Sequence, residues 1–252
     1  MIEVEKVIPN SSDNRSKTEQ VRDMFDNIAS SYDNMNRIMS FGMDVRWRAN
    51  AIKRLAKHIS GARIKRPEVL DLACGTADFS IEIATQIPDA KITGVDLSDE
   101  MLAIGRVKIE KEGVANRVNL SKADCLNLPF PDNCFDCVTA AFGVRNFQDL
   151  ARGYKEMFRV LRRGGVIWIL ESSVPSSSLV RPFYNFYAEK IIPMVARLLG
   201  KNNKAYKYLP ASIRKVPSGD DMITLITDAG FINTSLKEYF TGVCTLYMAS
   251  KP

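Results

Sequence analysis

A doubly wound α/β fold around a mostly parallel sheet is what this chain predicts, and three observations predict it. Short apolar runs alternate with helical segments through the middle of the sequence, the pattern of strands covered by helices on both faces. The first run, Val69–Ala73, ends in Cys74-Gly75-Thr76-Ala77-Asp78, a glycine turn that opens a helix. The second, Lys91–Val95, ends in Asp96. That acid lies about 20 residues beyond Gly75, the interval one βα unit needs to bring a carboxylate beside a nucleoside ribose.

Each element has its own signal. Residues 1 to 15 are polar and read as loose. Val21, Phe25 and Ile28 recur at helical spacing, so a helix is expected from Ser16 to Ala29, broken by Tyr32-Asp33-Asn34-Met35-Asn36. Asp44 reads as the N-cap of a second helix running to Ile59. Strands are expected at Val69–Ala73, Lys91–Val95, Val118–Lys122, Cys134–Ala141 and Val166–Glu171, with Glu100–Glu112 and Leu150–Leu161 among the helices between them. Arg162-Arg163-Gly164-Gly165 reads as the turn that launches the fifth strand. Then the alternation is interrupted. Val180, Phe183, Tyr184, Tyr187, Ile191, Met194, Val195 and Leu198 form one helical stripe, which Pro193 kinks. A helix over Asp220–Ala229 ends at Gly230. Ile232–Tyr239 and Val243–Ala249, joined by Thr241-Gly242, make an antiparallel hairpin. The expected sheet has seven strands.

At 252 residues this is one domain with an elaborated insertion. Its expected parts are an N-terminal helical cap (16–60), a cofactor-binding core (66–171), a helical insertion for substrate or membrane (172–218) and a C-terminal helix and hairpin (219–252). With 46% apolar and 25% charged residues the composition is that of a soluble globular protein. No apolar run approaches the roughly 18 residues of a spanning helix, and the first residues lack an export signal. Five scattered cysteines suit a reducing, cytoplasmic setting. Cys134-Phe135-Asp136-Cys137 is a lone pair with one histidine, His58, in the whole chain. Zinc needs two more ligands, so no metal is expected.

Charge is unevenly placed within a net +6. Residues 37 to 66 carry nine Lys/Arg against one acid, and residues 181 to 215 carry eight against one. Such blocks suit an anionic surface, either nucleic acid or acidic lipid.

The chemistry at the glycine turn narrows the ligand. A dinucleotide site needs a G-x-G-x-x-G turn to bring a pyrophosphate onto a helix N-terminus. Here Gly75 stands alone and Asp78 would repel phosphate. Asp71 and Asp78 instead suit a ligand with cationic groups, the ammonium and sulfonium of S-adenosylmethionine.

Further motifs carry a resemblance. They are Tyr32-Asp33-Asn34-Met35-Asn36-Arg37-Ile38-Met39-Ser40 with Trp47 beyond, Leu128-Pro129-Phe130-Pro131-Asp132, Phe142-Gly143-Val144-Arg145-Asn146, Arg159-Val160-Leu161-Arg162-Arg163-Gly164-Gly165 and Ala205-Tyr206-Lys207-Tyr208-Leu209-Pro210-Ala211-Ser212-Ile213. Together they resemble the quinone C-methyltransferases of menaquinone and ubiquinone biosynthesis, a branch of the class I methyltransferases, over nearly the whole chain beyond residue 16. Gly75 lets the backbone approach the ligand with no Cβ in the way, and the resemblance implies that Thr76 and Asp96 touch S-adenosylmethionine, with Asp124 and Cys125 at its adenine end. Asp71 is expected to hold its amino end, directly or through water. Three departures stand out: Asp44 where the family often has histidine, Ala141 where some members have serine, and Ala77 in place of a second glycine, which is expected to matter little.

The reaction so implied is methylation of a ring carbon of demethylmenaquinol, a polyprenyl naphthoquinol. The alternative is a methoxy-benzoquinol of the ubiquinone pathway. Arg145 and Asn146 are nominated to orient a ring oxyanion, and Tyr32, Tyr206 and Tyr208 to wall the substrate pocket. The segment 179–215 is expected to hold the prenyl tail and meet acidic headgroups through Lys201, Lys204 and Lys207, at the inner face of the membrane. A homo-oligomer is left open. Remoter alternatives are a nucleic-acid methyltransferase, which would bind nucleic acid in a salt-sensitive way but lacks an Asn/Asp-Pro-Pro-Tyr motif, and a non-catalytic S-adenosylmethionine-binding protein.

Overall fold

The computed structural model describes residues 2–175, 177–191, 194 and 203–252. Seven strands form one sheet: β1 (Glu68–Leu72), β2 (Lys91–Asp96), β3 (Val118–Lys122), β4 (Phe135–Ala141), β5 (Leu161–Ser172), β6 (Ile232–Tyr239) and β7 (Cys244–Ser250). Their spatial order is β3-β2-β1-β4-β5-β7-β6. β1 to β5 pair in parallel, and β7 runs antiparallel to both β5 and β6. The expected α/β class and the C-terminal hairpin are thus found. The order reverses between β1 and β4, and ligands of open α/β sheets bind at such a switch point, beyond the carboxyl ends of the strands.

Eight α-helices are described: α1 (Lys17–Ser40), α2 (Met43–Gly61), α3 (Asp78–Gln86), α4 (Asp99–Lys111), α5 (Leu150–Val160), α6 (Arg181–Phe186), α7 (Asn203–Lys215) and α8 (Asp220–Asp228). Strand periodicity divides the core. Leu70, Leu72, Val138, Ala140, Ile167 and Ile169 face Tyr154 and Met157 of α5 and Met222 and Ile226 of α8. Val69, Cys137, Val166, Trp168 and Leu170 face Ile52 and Leu55 of α2, Ile83 of α3 and Leu102 of α4.

Four local expectations are corrected. Tyr32–Asn36 do not break the first helix: α1 runs unbroken from its Ser16 cap, boxed by Glu19, to Ser40. Burial of Met35 outweighs the weak helix propensity of its polar neighbours. Asp44 is not the N-cap of α2. Gly42 holds that place, and Asp44 lies inside the helix paired to Arg48. The first residues are not loose: Val4 is buried, and Glu5 caps α5 by accepting the Leu150 N–H at 2.9 Å. Finally, β5 already begins at Leu161, and Arg162–Gly165 form an irregularity within it, with Gly164 at φ +76°.

After β5 the chain makes α6, a wide π-helical turn at Tyr187–Ile191, and α7. The expected kink at Pro193, together with Val195 and Leu198 of the stripe, lies outside the described residues. No described helix is long and apolar enough to cross a membrane.

Candidate active site

The ends of β1, β2, β3 and β4 open on a single cleft of about 720 Å³. Ala73, Gly75, Asp96, Asp124, Cys125 and Gly143 line its floor, and Val21, Phe25 and Tyr32 of α1 close it from above. The turn after β1 owes its shape to three left-handed residues, Ala73, Gly75 and Ala77, with φ of +48°, +56° and +65°. A Cβ on Gly75 would meet nothing within 4 Å, so its open side faces free space. Ala77 does carry a Cβ in that conformation, a strain of about 1–2 kcal/mol. The absent second glycine thus carries a backbone cost at Ala77. At Gly143 the ends of β1 and β4 meet: a Cβ there would lie 2.7 Å from that of Ala73.

Two acids sit in the floor. Asp96 accepts the N–H of Gly75 at 2.8 Å and of Ser98 at 2.9 Å. Burial nevertheless pushes its carboxyl above the usual range, against the pull of those amides. Asp124 accepts the Leu126 N–H at 2.9 Å, which shapes the turn after β3. Burial drives the Cys125 thiol far up, so it stays neutral. All five cysteines are free, and among the described residues no cluster of His, Cys, Asp or Glu could hold a metal.

Two nominated residues lie behind the cleft rather than in its wall. Thr76 is buried and donates to Asp33 of α1 at 2.6 Å. Asp71 is fully buried, with its oxygens taken by Ser80 (2.6 Å) and Thr139 (2.9 Å). Burial raises its carboxyl to about 6. Asp78 is matched by cations of the chain itself. Arg48 bridges it to Asp44 at 3.0 and 2.7 Å, and Lys108 joins it to Asp33. This chain of charges fastens α1 and α2 to the helices that follow β1 and β2. Sequence reasoning missed it because its partners lie 30 and 75 positions apart.

A second, mostly apolar cavity of about 1400 Å³ adjoins the first, sharing Tyr32 and Phe142 as walls. Met39, Trp47, Tyr184 and Leu209 line it, together with two arginines, Arg145 and the Arg48 already paired to Asp44 and Asp78. Arg145 sits in the short turn Val144–Asn146 after β4. Its guanidinium binds Glu171, at the end of β5, at 2.7 Å and also the Phe142 carbonyl. Its backbone N–H reaches the same carboxylate at 3.1 Å. Lys17, whose amine burial pulls down to about 8, donates to the Arg145 carbonyl at 3.2 Å. The Arg145 Nε is left buried without a partner. The sequence did hold a signal for Glu171, an acid closing an otherwise apolar strand.

Asn146 lines the first cleft and accepts the Tyr208 hydroxyl at 3.1 Å. Tyr208 is buried and lines a smaller cavity beside Arg145 and Asn146. The Tyr206 side chain, nominated for the pocket wall, lies outside the described residues. His58 is exposed on α2, its ring 5.9 Å from that of Trp168.

The sheet order, the glycine turn and the acids ending β2 and following β3 define a class I methyltransferase that depends on S-adenosylmethionine. Solved folds agree. A methyltransferase from Thermotoga maritima superposes with a TM-score of 0.63 over 92% of this chain and 99% of its own, at 18% identity. A model of the ubiE/COQ5 methyltransferase family matches residues 13–251, and the chain belongs to that family. It is 40% identical to the demethylmenaquinone methyltransferase of Bacteroides fragilis, over 98% of both chains. To the ubiquinone/menaquinone biosynthesis C-methyltransferase of Geotalea daltonii it is 42% identical, over 93% of this chain and 97% of the other.

Proposed function

We propose that this methyltransferase transfers the methyl group of S-adenosylmethionine to a ring carbon of demethylmenaquinol. The observation that carries this reading is the apolar cavity abutting the cofactor cleft, with Arg145 in its lining beside the shared walls Tyr32 and Phe142. A reduced naphthoquinol offers an apolar ring and tail with oxygens at the ring edge, and the cavity matches both. The names of the two relatives above support a quinol substrate, and the resemblance in motif spelling favours the naphthoquinol over the benzoquinol.

The first cleft fits the cofactor. Asp96, raised by burial, accepts hydroxyl donors such as those of a ribose. Asp124 and the backbone at Cys125 face the adenine end. S-adenosylmethionine, when bound, supplies a methyl group already activated by the sulfonium. The chain's part is then to hold an electron-rich carbon in line and keep water out, which is worth about 7–11 kcal/mol of barrier in favourable cases. Arg145 and Asn146 orient and stabilise the oxyanion formed when the quinol hydroxyl gives its proton to water. The ring carbon then takes the methyl group from the departing thioether, and the ring proton leaves to water as the hydroxyl is restored. Glu171 and Lys17 act through Arg145 and are positioning residues. Asp71 and Thr76 support the turn from behind. Tyr32 and Phe142 separate the two cavities where the methyl must cross.

The test is turnover of reduced short-tailed demethylmenaquinol with labelled S-adenosylmethionine, read by mass spectrometry beside the matching methoxy-benzoquinol. A methylated naphthoquinol at the higher rate is expected. Silence on both, in a sample shown to bind the cofactor, would reject the reading.

A further inference from the structure

We infer that the mouth of the apolar cavity is a docking surface for an anionic lipid bilayer, through which a tailed quinol enters directly from the membrane. This rests on the quinol reading above, since it names the phase from which that substrate comes. Three cavity-lining phenylalanines are also among the most exposed apolar residues described: Phe183 (78% exposed), Phe41 (76%) and Phe240 (60%). A side chain that both lines a cavity and faces solvent marks its opening. Leu179 (80%) and Phe186 (63%), beside Phe183 in sequence, and Ile38, one turn before Phe41, extend the apolar rim without lining the cavity. Soluble surfaces scatter such residues singly; a cluster at a cavity mouth signals a partner.

Backbone strain at the rim points the same way. Phe41 and Phe240 both sit at left-handed φ, +52° and +43°. A glycine or asparagine would relieve each turn, and a bulky ring there is an outlier. Both turns hold a phenylalanine outward at an energetic disadvantage, which burial of the ring in an apolar phase would offset. The Phe41 ring leans on that of Tyr187 at 5.6 Å, whose hydroxyl donates to the Met39 carbonyl at 2.9 Å. The α1–α2 turn and the π-helical segment therefore present one continuous edge.

Charge complementarity identifies the surface. Arg37, Arg46, Lys53, Arg54 and Lys57 are exposed on α1 and α2. The one acid between residues 37 and 66, Asp44, is buried against Arg48. Exposed aromatics beside this basic face of α1 and α2 fit a lipid interface with negative headgroups. Lys201 and the Lys204 side chain, expected to meet headgroups, lie outside the described residues.

The experiment is sedimentation of the full chain with sucrose-loaded vesicles, of phosphatidylglycerol and phosphatidylcholine or of phosphatidylcholine alone. The wild type is compared with Ile38→Ser/Leu179→Ser/Phe186→Ser and with Arg37→Glu/Arg46→Glu. Melting temperature and turnover of short-tailed quinol serve as controls. The wild type should bind the anionic vesicles and bind neutral ones far more weakly. The triple variant should lose at least tenfold in partitioning, since withdrawing one large side chain is worth about that factor. Both variants should keep wild-type turnover of the short-tailed quinol and lose turnover of a long-tailed quinol presented in vesicles. Variants that bind vesicles like the wild type would overturn the inference. So would a wild type that ignores vesicles but forms a dimer the triple variant cannot form, since the rim would then join two copies. The quinol reading fails separately: vesicle binding through the rim with no quinol turnover would refute the substrate and leave the docking surface standing.

Discussion

Asp71→Asn tests how a buried carboxylate is held in this site. Asp71 is fully buried, and burial raises its carboxyl from 3.8 to about 6. Four groups face it: Ser80 of α3 and Thr139 of β4 by hydrogen bonds, Asp96 of β2 by repulsion and Arg48 of α2 by attraction. The folded chain therefore binds a proton that the unfolded chain has released between pH 3.8 and about 6. Wild-type stability must fall as pH rises through that window, and above it the full penalty remains. Two pH units correspond to about 3 kcal/mol. Asparagine removes that penalty but weakens one hydroxyl bond, at a cost of about 1 kcal/mol. The variant should be more stable than the wild type by about 2 kcal/mol near neutral pH, and less stable by about 1 kcal/mol well below pH 4. Urea unfolding across pH shows whether the curves cross. A stability difference independent of pH would refute the reasoning. Cofactor affinity measured on the same samples gives the functional side: a more stable protein that binds S-adenosylmethionine more weakly is what a carboxylate kept for its charge predicts.

Arg145→Ala would strand Glu171 without its cation and destabilise the fold by about 3–5 kcal/mol, so Arg145→Lys is the cleaner probe of chemistry. It should lower turnover by about 100-fold or more with the cofactor Kd nearly kept; equal loss of both in single-turnover and binding assays would sink the orienting role. Arg48→Met leaves the buried Asp44 and the half-buried Asp78 with fewer cations and should cost about 3 kcal/mol in urea unfolding. An unchanged S-adenosylmethionine affinity in that variant would show that the fastening of α2 does not reach the cofactor cleft. Gly143→Ala forces a Cβ within 2.7 Å of Ala73 and should destabilise by about 1–3 kcal/mol. Calorimetric titration should also show weaker cofactor binding, because the crowded pair lies on the cleft floor.

The strands were legible because burial on both faces of a parallel sheet demands apolar runs, and Val69–Ala73 or Val166–Glu171 are such runs. Gly75 and Asp96 were legible because a βα unit fixes the interval between them. Elsewhere local signals misled. Tyr32 to Asn36 are polar enough to suggest a loop, yet Tyr32 walls three cavities and Met35 is buried. The same residues that weaken the helix locally are held in it by what they touch. Asp78 looked like a group awaiting a cationic ligand because no local rule pairs it with Arg48 or Lys108.

That pairing changes what the acids near the glycine turn do. Of Asp33, Asp44, Asp71, Asp78, Asp96 and Asp124, only Asp96 and Asp124 line the cofactor cleft. Asp33, Asp44 and Asp78 answer to Arg48 and Lys108, and Asp71 is enclosed by hydroxyls. The acids thus fall into two sets. One lines the cleft; in the other, Asp33, Asp44 and Asp78 join the N-terminal helices to those that follow β1 and β2, and Tyr32 stands between the two cavities. Arg145 belongs with this second arrangement as much as with the chemistry. Lys17 from α1 holds its carbonyl and Glu171 from β5 holds its guanidinium, so both layers fix its position at once. Both Tyr32 and Lys17 belong to α1, so a change that displaced α1 would shift the wall between the cavities and Arg145 together.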